Sequence, residues 1–390
     1  MHVLWVNEFA NFRGGCERHI YDTVRLLHEH GIKSTLLYDV RQETNPKFLR
    51  AFDAAFPMVD VPLQIAEIKP DLIYAHRISG IDGANDLLES HVPTLRFYHD
   101  HSLFCPREHK YSLLKRETCT KKVGLGCLTC CGGLVKPASG SGLRIVTPGK
   151  LIREQKVNQK FLKYVVGSTY MAGHLKLHGF DEKRIAVLPL YTAEPTGSND
   201  PPPERERDLL MFVGQLTTGK GVDTLLSAMA LVKAPVRLQI YGTGKFEEAY
   251  RMQAKRLGLD SRVDFCGSTT PANLTIAYRK AGCVVVPSRS PETFGLVGPE
   301  AMSCGAPVIA SQVGGTGEWL DEGVTGLGCP SNNPAALAAA IDKMYSDQQM
   351  AHRMSVAARA RYKERFTPEC HIRSLIELFE SVVNAKQEAA

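Results

Sequence analysis

Two series of alternating strand-like and helix-like segments, separated by a proline-rich break, restrict the folding of this chain more than any other feature. In the first series residues 2–7 read as a strand. After a turn at 11–15, a helical pattern runs from 16 to 30, with Ile20, Val24 and Leu27 at helical spacing and Gly31 as its stop. Residues 33–40, 71–75, 94–98, 163–167 and 184–188 read as further strands, with a helix at 168–177. The stretch 191–207 holds Pro195, Pro201, Pro202 and Pro203 and has little apolar periodicity, which marks a linker. The alternation then restarts, with strands at 209–214, 237–241, 262–265, 283–287 and 307–311 and helices at 222–231, 245–257, 273–280 and 299–303. One long helical stretch follows at 334–365 and a last one at 368–386. Strands that alternate with helices build parallel sheets covered on both faces. The expected fold is therefore α/β, with two doubly wound parallel-sheet domains: 1–190, carrying a cysteine-rich loop at 100–143, and 208–365, joined by the linker 191–207. Residues 366–390 form a C-terminal helix free to pack back on the first domain. Ligands of such sheets bind beyond the carboxyl ends of the strands, so the expected site is a cleft where the domains face each other.

Charge and cysteine usage narrow the classes of function. The net charge is +6, but residues 101–190 hold 16 Lys or Arg against 5 Asp or Glu, so that segment carries +11 and the remainder about five negative charges. This asymmetry fits either solvated surface lysines or an anionic partner, such as a membrane surface or an acidic lipid-linked acceptor. The stretch 150–163 reads in the same two ways, as a basic helix lying on a membrane or as an amphipathic helix facing a core. A nucleic-acid-binding protein leaves the two alternating series unexplained, and a dehydrogenase is disfavoured because the first loop lacks G-x-G-x-x-G. The chain opens on a strand pattern without a basic, apolar leader and has no run of the ~18 apolar residues that a membrane span needs. The expectation is a cytoplasmic protein, with peripheral contact at the inner face of the membrane as the variant suggested by charge. Of the 11 cysteines, Cys105, Cys119, Cys127, Cys130 and Cys131 cluster in one loop. Cys127 and Cys130 form a C-x2-C pair, which Cys105 and Cys119 could complete as a tetrahedral structural zinc site. Reduced thiols are the equal alternative. A loop as long as 100–143 needs some staple.

The segment Ser290-Pro291-Glu292-Thr293-Phe294-Gly295-Leu296-Val297-Gly298-Pro299-Glu300 places two glutamates either side of a glycine-containing loop that opens a helix. Backbone N–H groups at such a helix start can meet a phosphate, and a carboxylate there can accept from ribose hydroxyls. On spacing alone, Glu300 reads more simply as a complement to the helix dipole. In context, residues 284–311 resemble the donor-binding region of the family 4 retaining glycosyltransferases. Further features follow in order: Gly214-Gln215-Leu216 with Lys220-Gly221 resembles the family's phosphate loop, Tyr241-Gly242-Thr243-Gly244 its glycine turn, Val263 to Gly267 the strand end beside the base, and Gly314 to Glu318 the closing glycine loop. The resemblance covers nearly all of the second domain. It is weaker in the first, where it rests on Gly14-Gly15 and His99-Asp100.

The resemblance implies two Rossmann-like domains facing across a cleft (the GT-B fold) and a retaining transfer of sugar from a UDP- or GDP-linked donor to a glycan or lipid-linked acceptor, in glycan, polysaccharide or glycolipid biosynthesis. A nucleotide-sugar epimerase or hydrolase on the same fold is the alternative. The implied catalytic residues are His99, Glu292 and Lys220. The implied donor-binding residues are Gly14, Gly15, Gln215, Lys220, Gly242, Gly244, Cys266, Thr293, Phe294, Gly295, Leu296 and Glu300. Lys220 supplies a point charge to the diphosphate, and Gly14 and Gly15 let backbone amides approach it. His99 reaches the transferred sugar, and Glu292 lies beside its ring. Gln215 stands where the family usually has arginine, which removes one cation, and the expectation is weaker donor binding or compensation by another basic residue. The resemblance implies no cofactor for catalysis and no catalytic divalent metal.

Overall fold

The computed structural model describes residues 1–39, 41, 43–78, 80–112, 117–130, 134–135, 144–145, 147–195 and 205–389. Cys131 and residues 196–204 of the expected linker lie outside them. The chain divides into two compact units, one made of Met1–His109, Thr120–Leu188 and Pro368–Ala390, the other of Lys110–Cys119 and Pro189–Thr367.

The first unit is built on a parallel sheet. Its strands are β1 (His2–Asn7), β2 (Lys33–Tyr38), β3 (Ala54–Pro57), β4 (Leu72–Ala75) and β5 (Thr94–Tyr98), followed after two short hairpins by β10 (Lys163–Val166) and β11 (Ile185–Val187). The hairpins pair β6 (Tyr111–Ser112) with β7 (Glu117–Thr118) and β8 (Leu134–Val135) with β9 (Arg144–Ile145). The order in the sheet is β11-β10-β5-β4-β1-β2-β3. Strand β1 and its neighbour β4 are almost wholly buried, as expected of parallel strands with helices on both faces. The helix Gly15–Glu29 buries Ile20, Val24 and Leu27 completely, and Gly31 turns the chain away in the left-handed region at φ +70°. The last helix, Pro368–Ala389, belongs to this unit: Phe379 meets Tyr74 of β4 edge-on at 5.1 Å, and His371 meets His19 at 5.0 Å.

The second unit repeats the plan with β12 (Glu206–Val213), β13 (Arg237–Tyr241), β14 (Val263–Gly267), β15 (Ala281–Val286), β16 (Val308–Ser311) and β17 (Gly326–Cys329), in the order β14-β13-β12-β15-β16-β17 and all parallel. Both sheets therefore reverse direction beside their first strand, between β1 and β4 and between β12 and β15. Such a switch point opens a crevice at the carboxyl ends of the strands. The long helical stretch expected at 334–365 is two helices, Pro334–Ser346 and Gln348–Arg365. Asp347 breaks it, because its carboxylate accepts from the Met350 amide at 2.8 Å and caps the second helix. The stretch 150–163 turns its apolar side inward: Leu151 is 6% and Phe161 0% exposed, and Val157 packs on the core of the first unit.

Arg205 fixes the second unit at its beginning. Its guanidinium donates to the carbonyls of Tyr278 (3.3 Å), Arg279 (3.2 Å), Ala281 (2.9 Å) and Cys304 (2.7 Å). One planar cation thus satisfies the ends of two helices, Pro271–Lys280 and Val297–Ser303, where unpaired carbonyls and the negative end of the dipole collect. Replacing Arg205 with Ala leaves these carbonyls short of donors, at a cost of about 3 kcal/mol. The unfolding transition of the second unit is expected to fall by ~6–12 °C. Arg205→Lys, a point charge without the fork, is expected to recover less than half of that loss in calorimetry.

Candidate functional site

In the second unit, two loops meet at the switch point. The turn Thr218–Lys220 follows β12, and residues 287–290 follow β15. The carbonyl of Gly219 accepts the amides of Arg289 at 2.8 Å and Ser290 at 3.1 Å. Gly221 stands in the left-handed region at φ +70°, where a Cβ would run into the Pro287 carbonyl. This zipper sets Lys220 against Glu292: Lys220 Nζ donates to Glu292 Oε1 at 2.7 Å, and Ser288 Oγ donates to the same oxygen at 2.6 Å. Lys220 and Glu292 are partly exposed and so remain reachable.

The loop Glu292–Leu296 is fixed from behind. The amide of Gly315 donates to the Glu292 carbonyl at 2.7 Å, and Trp319 Nε1 donates to the Phe294 carbonyl at 2.8 Å. The Phe294 side chain is 1% exposed and sits in the core, so any contact it makes with a ligand is through its backbone. Thr293, Gly295 and Leu296 lead from Glu292 into the helix that carries Glu300. Tyr278 Oη donates to Glu300 Oε2 at 2.8 Å, and burial pushes the Glu300 carboxyl above its usual range.

Gly242 and Gly244 have a packing reason to be glycine. A Cβ on Gly242 would collide with the Gly214 carbonyl, and one on Gly244 would lie 2.6 Å from that of Leu216. Their loop crosses the one bearing Gln215 backbone on backbone, and the Gln215 side chain is exposed. Cys266 is exposed on β14, and its thiol is raised by burial of the sulfur against its neighbours. Arg289, the cation nearest in sequence to the loop Glu292–Leu296, pairs with Asp223 and donates to Thr224 at 3.0 Å. Its guanidinium is committed to the scaffold.

In the first unit, Gly14 and Gly15 lie at the start of the helix after β1. A Cβ at Gly15 would meet no atom within 4 Å, and one at Gly14 only Glu17 Oε2 at 3.8 Å. Here packing does not demand glycine. His99 follows β5 directly, stacks on Phe97 at 4.0 Å and shares a 2.6 Å hydrogen bond between its Nε2 and Nδ1 of His76. Burial, with His19 and Arg77 nearby, holds His99 well below the usual histidine range, and burial beside His99 does the same for His76. Arg77 pairs with Asp100 at 3.0 Å. The sequence reading passed over His76, His19, His371 and Cys16. One signal was present: His76, like His99, is the first residue beyond a strand.

The structure does not gather Cys105, Cys119, Cys127 and Cys130 into one metal site. Their thiols form no disulfide, and among the described residues they are not part of a group of three or more metal-ligating side chains. Among the described residues, the group of three or more metal-ligating side chains is instead Cys16, His76 and His99. The described part of the cysteine-rich loop is held by other means. The Val123 amide donates to His178 Nε2 at 3.1 Å, the Leu103 carbonyl accepts from Gln155 at 2.8 Å, and Leu103 and Phe104 are buried.

Comparison with known proteins adds a family. Residues 193–361 match the glycosyl transferases group 1 family. A D-inositol 3-phosphate glycosyltransferase of Frankia alni is 33% identical over 238 residues, 56% of this chain and 58% of that protein. A glycogen synthase of Mycobacterium tuberculosis is 32% identical over 160 residues, 40% of this chain and 38% of that protein. The chain thus spans little more than half the length of such relatives, or less. Anabaena Alr3699/HepE, solved in complex with UDP, superposes with a TM-score of 0.72 at 20% identity over 98% of this chain and 100% of that one. The lipopolysaccharide outer core galactosyltransferase WaaB gives 0.71 at 16% identity over 99% and 100%. The family match is thus confined to the second unit, and the two Rossmann-like sheets, with the likeness to these solved structures, give the chain the GT-B fold.

Proposed function

We propose that this protein is a retaining glycosyltransferase that moves a sugar from a nucleoside-diphosphate sugar to an acceptor hydroxyl. The observation that carries this reading is the Lys220–Glu292–Ser288 constellation at the switch point of the second unit. As the glycosidic bond to the diphosphate breaks, negative charge builds on phosphate and positive charge on the anomeric carbon. Catalysis then needs fixed positive groups at the first and negative or neutral ones at the second. Lys220 serves the phosphate. Its ammonium has three donors, of which Glu292 takes one. Glu292, oriented by Lys220 and Ser288, serves the sugar hydroxyls or the developing cation. We assign His99 to the sugar as a neutral imidazole, the form that burial favours and the one compatible with a neighbouring positive charge. In this reading the leaving phosphate takes the acceptor proton on the same face, so Glu292 need not act as nucleophile.

The names of the relatives support glycosyl transfer, and the UDP complex of the Anabaena neighbour supports a nucleoside diphosphate as the group held. We assign the acceptor to the anionic or membrane-associated glycan class, because residues 101–190 carry +11. Among the described residues no helix is long and apolar enough to cross a membrane, so any contact with a bilayer is peripheral in this proposal.

UDP or GDP is expected to raise the melting temperature of the purified protein, and Lys220→Ala is expected to remove the shift and lower kcat/KM about 10²- to 10³-fold. A protein indifferent to every nucleoside diphosphate would refute the assignment. Gln215→Arg restores a cation beside the diphosphate and is expected to tighten nucleotide binding about tenfold, measured by calorimetry. Glu300→Gln separates binding from stability. The raised Glu300 carboxyl means that the folded state holds its proton more tightly than the unfolded chain does. The ionised group therefore costs stability above the ordinary carboxylate value of 4.5, and that cost vanishes below it. The variant should bind nucleotide more weakly, yet gain stability relative to wild type as pH rises from 4 to 7.5 in urea titrations.

A further inference from the structure

Cys16, His76 and His99 come from three different elements. Cys16 is the second residue of the helix Gly15–Glu29, and the two histidines follow the neighbouring strands β4 and β5, of which β4 borders the switch point of the first unit. One donor atom from each lies within 4.8 Å of the other two. The His76 ring is held rigidly. It is 2% exposed, stacks on Trp5 at 5.2 Å with 10° between the planes, and meets Tyr74 edge-on at 4.5 Å. Its Nδ1 is hydrogen-bonded to His99, and its buried Nε2 has no hydrogen-bond partner. A buried imidazole nitrogen without a partner is costly. A thiol and two imidazoles form a donor set matched to soft and borderline divalent ions rather than to magnesium or calcium.

We propose that Cys16, His76 and His99 form a site for one thiophilic divalent cation of the zinc class, bound through a thiolate and two neutral imidazoles with the fourth position open. On binding, the Cys16 S–H gives its proton to solvent and the sulfur electron pair bonds the metal. Neither the metal nor the protein changes oxidation state. Zinc bonds of about 2.0–2.3 Å place tetrahedral donors about 3.3–3.6 Å apart. If the metal uses the two nitrogens that now share a hydrogen bond, that pair opens from 2.6 Å to about 3.3 Å, and Cys16 closes in. Burial keeps both imidazoles in the neutral, ligating form, and it also pushes the Cys16 thiol up against the opposing pull of Arg77, so the metal itself has to displace the S–H proton. The consequence for catalysis rests on the proposed function: a metal that ligates His99 withdraws the imidazole assigned to the sugar, so zinc acts as an inhibitor. The binding itself is independent of that reading.

The test uses full-length protein stripped with a chelator and then titrated with Zn²⁺ by calorimetry and with Co²⁺ by absorption. A single equivalent, a sulfur-to-cobalt charge-transfer band and the intense visible bands of a tetrahedral ion are expected. Cys16→Ser should abolish the charge-transfer band and weaken Zn²⁺ binding at least tenfold while melting like wild type. His76→Gln should weaken binding comparably. A variant with Cys105, Cys119, Cys127 and Cys130 all changed to Ser should keep the site. Loss of binding in that variant but not in Cys16→Ser would overturn the proposal, as would absence of binding by the wild type. Where transfer is measurable, Zn²⁺ should inhibit wild type and spare Cys16→Ser, each relative to its own zinc-free rate. A protein that binds zinc through Cys16 but transfers no sugar would refute the glycosyltransferase reading and leave the metal site standing.

Discussion

The second unit depends on one carbonyl. Gly219 accepts two amides from the loop after β15, and this contact joins the two loops that part at the switch point. Parallel strands end with their carbonyls and amides facing the same way, and the chain must leave in opposite directions on either side of the switch. Without a cross-link the ends splay and the crevice has no floor. With it, Lys220 and Glu292, which are far apart in the chain, are delivered to hydrogen-bonding distance. The glycines around this point are there for backbone-to-backbone contact. Gly221 presses on Pro287, Gly242 on Gly214 and Gly314 on Glu292.

The first unit solves the same geometric problem differently. Its glycine pair makes no close packing contact, and behind it lies a largely buried cluster of aromatic and imidazole rings in contact: Trp5, His76, His99, Phe97 and His19. One unit offers cations and amides, the other neutral nitrogen and sulfur. The contrast is chemical, and it follows from which side chains stand first beyond β4 and β5 rather than from any difference in strand order.

Much of this was legible in the sequence where the signal was local. The periodicity of Ile20, Val24 and Leu27 specified a helix, and the contiguous run from Ser290 to Glu300 marked a glycine-containing loop that opens a helix. The signal failed where it depended on pairing at a distance. Nothing local ties Arg205 to Cys304, or Cys16 to His76. The edge strand Ala54–Pro57 ends in proline, and Gly326–Cys329 is half glycine, so neither carries the β-branched pattern by which strands are recognised. The break at Asp347 was hidden because apolar residues continue at helical spacing across it, and only the capping geometry of its carboxylate reveals the stop. For the four clustered cysteines the sequence left zinc and free thiols equally open, and among the described residues they do not appear in a metal-ligating group.

The helix Pro368–Ala389 completes the unit that the chain begins. Tyr74 and His19 find their partners Phe379 and His371 only after the whole second unit has been made. At a synthesis rate of about 5–20 residues per second, the N-terminal sheet waits roughly 10–40 s on the ribosome with that flank uncovered. The second unit, which ends at Thr367, is made in full before that helix. The unit that synthesis begins first is thus the one it completes last.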